Sequence, residues 1–243
     1  MSKIILITGA STGIGAGTAR YLAKDNTIIV HYNSSKDEAE KVAEEVVSNG
    51  GKAHLVQADL TTKDGCVALI ENVSQTVDRL DVLVNNAGGL IKRHQTRAIE
   101  WELMERIFSL NVFSVMQLSS LCIPLLESGA QPCIINITSM AIRLGVPTST
   151  IYGAAKSAID AFTRGMAREL APTIRVNAVA PGIIDTPFHK KVTSPEQMES
   201  WEEATPLKMF GQSIHVAMAI KMLIENDFMT GETIDVNGGL SMR

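Results

Sequence analysis

The feature that most limits how this chain can fold is a regular alternation of short apolar runs with longer amphipathic segments. The runs are nearly continuous and rich in β-branched residues, which is typical of strands buried on both faces of a parallel sheet. They lie at 3–8, 27–32, 52–57, 81–86, 133–139, 174–180 and 232–237. Segments with helical periodicity separate them, at 13–24, 36–48, 63–78, 97–127, 151–170 and 212–224. This order predicts repeated strand–helix–strand units with right-handed crossovers.

We therefore expect one α/β domain spanning residues 1–243, a doubly wound fold of about seven parallel strands with helices on both faces. Pro124 is expected to bend or end the 97–127 segment. The interval 183–211 departs from the pattern because it is polar and contains several prolines, and we expect it to form a substrate lid. Its apolar residues line either that lid or a core or subunit interface: Phe188, Trp201, Met209 and Phe210.

Composition argues against several functional classes. The formal net charge is −4 and no basic stripe is present, which disfavours nucleic-acid binding. Cys66, Cys122 and Cys133 lack metal-ligand spacing and lie in or near apolar stretches, so we expect buried free thiols in a reducing compartment. The histidines also lack such spacing, and no metal is expected. With no signal peptide and no apolar run of membrane-spanning length, the expectation is a cytoplasmic protein that binds no membrane.

A glycine-rich turn, "ITGASTGIGAGTA" at 7–19, follows the first apolar run directly and opens a helix. Gly9, Gly13 and Gly15 suit a tight turn, close approach of the backbone to a pyrophosphate, and close helix packing. The helix N-terminus offers free N–H groups and the positive end of its dipole to phosphates. A turn without a ligand is the alternative, but the strand–turn–helix context favours nucleotide binding.

The end of the second apolar run bears on the choice between NAD and NADP. A carboxylate at this point hydrogen-bonds the ribose hydroxyls of NAD. This chain instead has Tyr32 there, followed by the uncharged Asn-Ser-Ser of 33–35, and its first acids come at 37–38. Because an uncharged loop accepts a 2′-phosphate without repulsion, we expect NADP rather than NAD. Lys36 either supplies a positive charge to that phosphate or is an ordinary solvated lysine.

A tyrosine and a lysine lie four residues apart in "STIYGAAKSAID", residues 149–160. This spacing places Tyr152 and Lys156 on one face of a helix with only small residues between them. An ammonium beside a phenol favours the phenolate and lowers the phenol's pKa, which makes the tyrosine a usable acid or base near neutral pH. The alternative is a pair that simply shares a solvated surface.

Further short motifs lie at the carboxyl ends of predicted strands or on the following helices, which is the edge where open α/β sheets bind ligands. They are "ADL" (58–60), "NNAG" (85–88), "LNV" (110–112), "INITSMA" (135–141) and "NAVAPGIIDTP" (177–187). In this combination the whole chain, to "VNGGLSM" at 236–242, resembles the compact form of the short-chain dehydrogenase/reductase family. The resemblance implies a Rossmann-like, NAD(P)-binding oxidoreductase acting on CH–OH and C=O groups, and a homotetramer or homodimer.

The resemblance also implies roles for four catalytic residues. Tyr152 would be the general acid/base, and Lys156 would lower its pKa and hydrogen-bond the nicotinamide ribose. Ser139 would hold the substrate oxygen at the tyrosine. Asn111 would bend its helix and anchor a water that links Lys156 to solvent. These roles suit hydride transfer to a carbonyl. Negative charge develops on the carbonyl oxygen during this reaction, and hydrogen-bond and proton donors stabilise it.

The cofactor contacts implied by the resemblance lie along the same edge. Asp59 would bond the adenine amino group, Asn85 would stabilise the fourth strand beside the adenosine, and the 181–186 loop would cover the nicotinamide. The expected cofactor-binding residues are Gly9, Ser11, Thr12, Gly13, Ile14, Gly15, Tyr32, Asn33, Ser34, Asp59, Leu60, Asn86, Ala87, Gly88, Tyr152, Lys156, Pro181, Gly182, Ile184 and Thr186.

Three functions remain open from the sequence. The first is an NADP-dependent reductase of a small ketone or aldehyde, or the reverse alcohol oxidation. The second is a 3-oxoacyl-[acyl-carrier-protein] reductase, ranked lower because an acidic carrier calls for basic residues and the turn 125–133 has none. The third is a redox sensor that binds nucleotide without turnover, disfavoured because all four catalytic candidates are present. Arg143 either binds an anionic substrate or points to solvent.

Overall fold

A seven-stranded sheet forms the centre of the computed structural model, which describes residues 2–187 and 193–242. The strands are β1 (Ile4–Ile7), β2 (Thr27–Tyr32), β3 (Lys52–Gln57), β4 (Val82–Asn85), β5 (Cys133–Ile137), β6 (Arg175–Pro181) and β7 (Thr233–Val236). Their spatial order is β3-β2-β1-β4-β5-β6-β7, and every neighbouring pair is parallel. The order reverses between β1 and β4. The predicted fold class is confirmed.

Helices cover both faces of this sheet. They are α1 (Gly13–Tyr21), α2 (Lys36–Ser48), α3 (Lys63–Thr76), α4 (Trp101–Phe108), α5 (Ser114–Glu127), α6 (Ala141–Leu144), α7 (Thr150–Leu170), α8 (Pro195–Ala204) and α9 (Ser213–Glu225). Each of the six segments with helical periodicity coincides with at least one of them to within a few residues. The short α6 and the α8 of the 183–211 interval were not predicted.

Alternation along the strands explains why their sequences are apolar throughout. In β1, Ile5 and Ile7 pack into a cluster that includes residues of α1, α2 and α9. Leu6, between them, points to the other face and joins a cluster with residues of α3, α5 and α7. Successive strand side chains face opposite ways, so a strand covered on both faces needs apolar residues at every position.

The 97–127 segment does not form one regular α-helix. After α4 comes a π-helical stretch, Ser109–Phe113, and α5 then runs on to Glu127. Pro124 lies inside α5, so it does not end the helix, and the alternative, a bend at Pro124, stays a prediction. The π-helical stretch is centred on Asn111, and such stretches occur frequently at functional sites.

By length and composition alone the helical run Trp101–Glu127 could cross a membrane, a test that the core helix of a globular protein also passes. Its apolar character has a role inside the fold. Leu118, Cys122 and Leu126 of this run are fully or almost fully buried in the core beneath the sheet. The three cysteines are free and buried, as expected.

Candidate active site

A cleft of about 520 Å³ opens along the carboxyl edge of the sheet, where the strand order reverses. This is the position at which open α/β sheets bind ligands. Its wall contains most of the expected residues: Gly9, Ser11, Thr12, Gly13, Ile14, Asn33, Ser34, Asp59, Leu60, Asn86, Ala87, Gly88, Ser139, Tyr152, Lys156, Pro181, Gly182, Ile184 and Thr186. Three others lie behind the wall: Gly15, Tyr32 and Asn111.

The glycine turn has the backbone geometry that its sequence predicts. Gly9 and Gly13 adopt left-handed φ angles of +61° and +56°, which side chains other than glycine rarely tolerate. Gly15 serves packing, since a Cβ there would overlap the Gly9 carbonyl oxygen and the Asn86 amide. The turn therefore presents bare backbone to the cleft beside the N-terminus of α1, which fits a pyrophosphate.

His31, in β2, is a site residue that sequence reasoning considered only as a metal ligand. The side chain is 2% exposed and lines the cleft. Its Nδ1 accepts a hydrogen bond from the Gly9 N–H at 2.9 Å, and its Nε2 lies 3.1 Å from the Ala58 carbonyl oxygen. The ring is therefore the neutral tautomer with its proton on Nε2. A polar residue inside an otherwise apolar strand was the signal in the sequence.

This hydrogen-bonded imidazole links the ends of three strands, because Gly9 follows β1 and Ala58 follows β3. Burial lowers the pKa of His31 to about 4, and the bond to the Ala58 carbonyl opposes that effect. The glycine turn thus depends on an uncharged histidine.

The structure places Tyr32 away from the cleft. Its side chain is buried in the core cluster that contains Ile5 and Ile7. Adjacent strand residues face opposite sides, so the neighbours Tyr32 and His31 have different surroundings. Ser34 and Ser35 do line the cleft. Lys36 lies 3.5 Å from Glu40 on the exposed surface of α2, an ordinary i,i+4 pair.

Two amides organise the segment after β4. The Asn86 side chain donates to the Thr8 and Gly9 carbonyls at 2.8 and 3.0 Å, which ties this segment to the glycine turn. The Asn85 side chain is turned into the fold, where it donates to Ser119 and to Asn136. Asn85 therefore holds central elements together behind the cleft.

Asn111 fixes the same segment from the π-helical stretch. Its Oδ1 accepts from the Gly89 N–H at 3.0 Å, and its Nδ2 donates to the Gly89 carbonyl at 2.9 Å. A Cβ on Gly88 would lie 2.8 Å from Asn111 Oδ1 and 3.1 Å from Lys156 Nζ. The absence of a side chain at Gly88 therefore lets Asn111 and Lys156 approach the same point.

Ser139, Tyr152 and Lys156 come together from two elements. Ser139 follows β5, while Tyr152 and Lys156 lie one turn apart on α7. The Ser139 and Tyr152 side chains are hydrogen-bonded to each other. Lys156 Nζ donates to the Ile137 carbonyl at 2.8 Å and lies 5.7 Å from the centre of the Tyr152 ring. Three of the four expected catalytic side chains thus face the cleft together.

Burial dominates the protonation of this group. It raises the pKa of Tyr152 to about 12, against the opposing effect of the Ser139 hydrogen bond. It lowers the pKa of Lys156 to about 8. The sequence predicted that Lys156 lowers the pKa of Tyr152, but the pKa is raised instead. Removing the phenolate from water destabilises it more than the neighbouring groups stabilise it. Tyr152 therefore carries its proton at neutral pH.

The remaining expectations concern the edges of the cleft. Arg143 neither lines the cleft nor extends to solvent, because its guanidinium lies 3.5 Å from the Asp235 carboxylate and its side chain is 18% exposed. In the 183–211 interval, Trp201 lines the cleft and Met209 is exposed. Phe210 is half-buried, and Phe188 lies outside the described residues.

The chain is similar to known proteins over nearly its whole length. The family model described as short chain dehydrogenase matches residues 3–197. A 3-oxoacyl-[acyl-carrier-protein] reductase of Synechocystis sp. is 35% identical over 246 residues, covering 99% of this chain and 98% of that protein.

Solved structures resemble the fold throughout. The NADH-dependent reductase A1-R′, responsible for alginate metabolism, matches with a TM-score of 0.91 and 28% identity over 100% of this chain and 98% of that one. The angucycline C-6 ketoreductase LanV with bound NADP has a TM-score of 0.91 and 28% identity, covering 98% of this chain and 95% of that one.

The histidine contact predicts a pH dependence of stability. The pKa of His31 is about 4 in the folded protein and about 6.5 when unfolded, so only the unfolded state gains its proton between these values. Stability is therefore lost as pH falls through this window. In His31→Gln, a neutral amide that both accepts and donates, this loss should disappear. Between about pH 7.5 and 5.5, the free energy of unfolding measured with urea should fall by roughly 1 kcal/mol more for wild type than for the variant.

His54→Gln is the matched control, since His54 is exposed on β3 and should leave the wild-type pH dependence unchanged. Equal pH dependence of wild type and His31→Gln would contradict the assignment of a buried neutral imidazole.

Proposed function

Because the chain belongs to the short chain dehydrogenase family, whose members are oxidoreductases of carbonyl and alcohol groups, we propose that it is an NADP(H)-dependent reductase of small carbonyl compounds. The reverse reaction would oxidise the alcohol. The observation that carries the proposal is the Ser139–Tyr152–Lys156 group, which lies in the same cleft as the glycine turn, with Lys156 buried and the other two side chains partly buried.

The cleft residues suit a dinucleotide. Bare backbone at Gly9 and Gly13 would hold the pyrophosphate, Asp59 and Leu60 would contact the adenine, and the 181–186 loop would contact the nicotinamide. When bound, the reduced nicotinamide supplies the hydride. The protein's own part is to orient the carbonyl and to move one proton.

The proton step follows from the geometry of three side chains. The Ser139 hydroxyl would hold the carbonyl oxygen, and the Tyr152 hydroxyl would donate its proton to that oxygen as negative charge develops. Lys156, held by the Ile137 carbonyl, would place its ammonium near the phenolate that remains. With a pKa of about 8, Lys156 is mostly charged at neutral pH. A protonated Tyr152 beside a charged lysine suits a general acid.

Asn111 would act one step away from the chemistry. Its two bonds to Gly89 hold the backbone of the 88–89 segment against Lys156. We propose that this positions Lys156 and leaves room for a water that relays its proton to solvent.

The preference for NADP rests on the loop after β2. Ser34 and Ser35 line the cleft and carry hydroxyls but no charge. Lys36 pairs with Glu40, so the preference rests on the missing carboxylate rather than on a lysine. Of the similar structures, LanV has bound NADP whereas A1-R′ is NADH-dependent, so a direct measurement is needed.

We expect NADPH to bind more tightly than NADH. Ser34→Asp should weaken NADPH binding at least about tenfold and leave NADH binding nearly unchanged, because like charges brought together cost several kcal/mol. Ser48→Asp adds the same charge at the far end of α2 and is the control. Fluorescence titration of both nucleotides against the three proteins measures this. Tighter binding of NADH by wild type would overturn the NADP assignment.

A 3-oxoacyl-[acyl-carrier-protein] reductase remains the second candidate, favoured by the 35% identity to the Synechocystis enzyme. The sequence argument against it does not hold. The turn 125–133 precedes β5 and therefore lies at the amino edge of the sheet, opposite the cleft. We still rank the acyl-carrier-protein substrate below a free small carbonyl compound, but no contact in the structure decides between them. Acyl thioesters therefore belong in any substrate panel.

We also propose, from family analogy, a cytoplasmic homotetramer. Exposed apolar side chains on and beside α4 and α5 are compatible with a subunit interface, with Trp101 and Phe113 at 67% and 58% exposure.

The proton-donor role predicts the behaviour of Tyr152→Phe. Turnover should fall by about 10²–10⁴-fold, the usual contribution of a positioned general acid, while the NADPH dissociation constant stays within about threefold. Tyr21→Phe removes a hydroxyl from a partly exposed tyrosine on α1 and should change neither. Steady-state rates and nucleotide titration decide the matter. A Tyr152→Phe enzyme that retains most of its turnover would rule out this mechanism.

A further inference from the structure

The segment 140–149 forms the side of the cleft next to Ser139 and Tyr152. It follows Ser139 directly and contains α6. A Cβ on Gly153, the neighbour of Tyr152, would lie 3.6 Å from the Ala141 carbonyl oxygen, so α6 packs against the start of α7 beside the acid. A substrate whose carbonyl oxygen reaches Ser139 and Tyr152 therefore lies beside this segment.

The side chains that this segment presents to the cleft are mostly apolar. They are Met140, Ala141, Leu144 and Val146, with Ser149 as the fifth. Leu144 is 49% exposed and Val146 is half-buried, although both line the cleft. Apolar surface that stays in contact with water inside a cleft is stabilised when an apolar part of a ligand covers it.

Arg143 anchors α6 from behind this surface. Its guanidinium lies 3.5 Å from the Asp235 carboxylate of β7, and its side chain does not line the cleft. In the next residue, Leu144, the side chain does line it. The charged residue of α6 therefore holds the helix on the sheet, and the apolar residue beside it is left to contact a ligand.

Arg93 holds the same segment from its other end. It lines the cleft, and its NH1 donates to the Thr148 and Ser149 hydroxyls at 3.3 and 3.2 Å. Its NH2 donates to Thr193 at 3.1 Å, and the guanidinium carbon lies 5.5 Å from the centre of the Trp201 ring. These donors join three parts of the chain, so they serve the wall itself.

Apolar side chains from two other parts of the chain extend this surface. The Asn237 side chain donates to the Met140 sulfur at 3.3 Å, and the Leu240 N–H donates to the Asn237 carbonyl at 3.3 Å. These bonds bring Leu240, which lines the cleft, close to Met140. Leu90, buried and also in the cleft wall, directly follows Gly89. The wall near the acid is thus a hydrocarbon surface drawn from three parts of the chain.

We infer that the substrate carries an uncharged hydrocarbon group on its carbonyl carbon, and that this group packs against Met140, Leu144 and Val146. This inference rests on the proposed reductase function and names its substrate class. The carbonyl oxygen would bind Ser139 and Tyr152, as in the proposed proton step. A hydroxyl or carboxylate in place of the hydrocarbon would lose its water without gaining a hydrogen bond from these apolar side chains.

The first test varies the substrate with the wild-type protein and with both NADPH and NADH. Methyl ketones from 2-butanone to 2-octanone add one methylene at a time. A methylene moved from water into apolar surroundings contributes up to about fourfold, so kcat/KM should rise about twofold or more per methylene until the chain outgrows the wall. 5-Oxohexanoate, which is 2-hexanone with a carboxylate in place of the terminal methyl, should be at least about tenfold poorer than 2-hexanone.

The second test locates the apolar contact. Cyclohexanone and tetrahydropyran-4-one have the same ring shape, but the second has an ether oxygen in place of one methylene. Leu144→Gln and Val146→Thr should each lower the preference for cyclohexanone by about threefold or more, mainly through its KM. Leu55→Gln and Val47→Thr make the same changes at exposed positions on β3 and α2, and they should keep the wild-type preference.

Melting temperature and NADPH affinity establish that each variant is folded. The methyl ketone series on wild type remains decisive if a variant does not fold. Ketone turnover with no gain along that series would overturn the hydrocarbon proposal and leave the reductase intact. Turnover of 5-oxohexanoate equal to or better than that of 2-hexanone would do the same.

Two further outcomes separate the levels of the argument. Equal losses on cyclohexanone and tetrahydropyran-4-one in both variants would overturn the hydrocarbon proposal and assign Leu144 and Val146 to shaping the wall. Turnover of no ketone, aldehyde, oxo acid or 3-oxoacyl thioester with either nucleotide would overturn the proposed function together with this inference.

Discussion

The cleft depends on how the ends of β1 and β4 are held together where the sheet order reverses. Thr8, 1% exposed, performs this task with its backbone and its hydroxyl. Its N–H donates to the Val84 carbonyl at 3.0 Å, and its Oγ1 accepts from the backbone N–H groups of Asn86 and Ala87 at 3.0 and 2.9 Å. The two segments diverge only beyond this point. The glycine turn leads to α1 and the 88–89 segment leads towards Lys156, so this buried threonine joins the starting points of both ends of the cleft.

Burial is the second physical theme, and it acts on the two central titratable groups in opposite directions. The pKa of Tyr152 rises to about 12 and that of Lys156 falls to about 8, so each group is shifted towards its neutral form. The acid is thereby kept protonated. The same poorly solvated surroundings make the ammonium more effective in stabilising negative charge that develops nearby. Asn111 and the bare Gly88 allow this close arrangement by removing bulk and fixing the backbone.

Much of the fold could be predicted from the sequence because buried parallel strands need apolar residues at every position, and all seven predicted runs became strands. The 97–127 segment was harder. Its π-helical stretch coincides with bonds from Asn111 to the distant Gly89, which local periodicity does not contain. The prediction that Tyr32 lines the cleft was wrong. Neighbouring strand residues face opposite sides of a sheet, and His31 rather than Tyr32 faces the cleft.

The arginines show the same limit at the site. Arg143 is close to Ser139 in sequence, yet it pairs with Asp235 of β7. Arg93 is remote from Tyr152 in sequence, yet it reaches Ser149 one turn away from it. Which contacts an arginine makes depends on how loops from several parts of the chain converge, and single-sequence reasoning has no access to that convergence.

Hydride transfer to a carbonyl is tested most directly by following the hydride itself. NADPH carrying deuterium at the transferable C4 position would be incubated with the protein and a mixture of small ketones, aldehydes, oxo acids and 3-oxoacyl thioesters. Mass spectrometry of the products should find an alcohol that has gained one deuterium on its carbinol carbon. Nucleotide that binds tightly while no alcohol acquires deuterium would contradict the reductase function and favour a nucleotide-binding sensor.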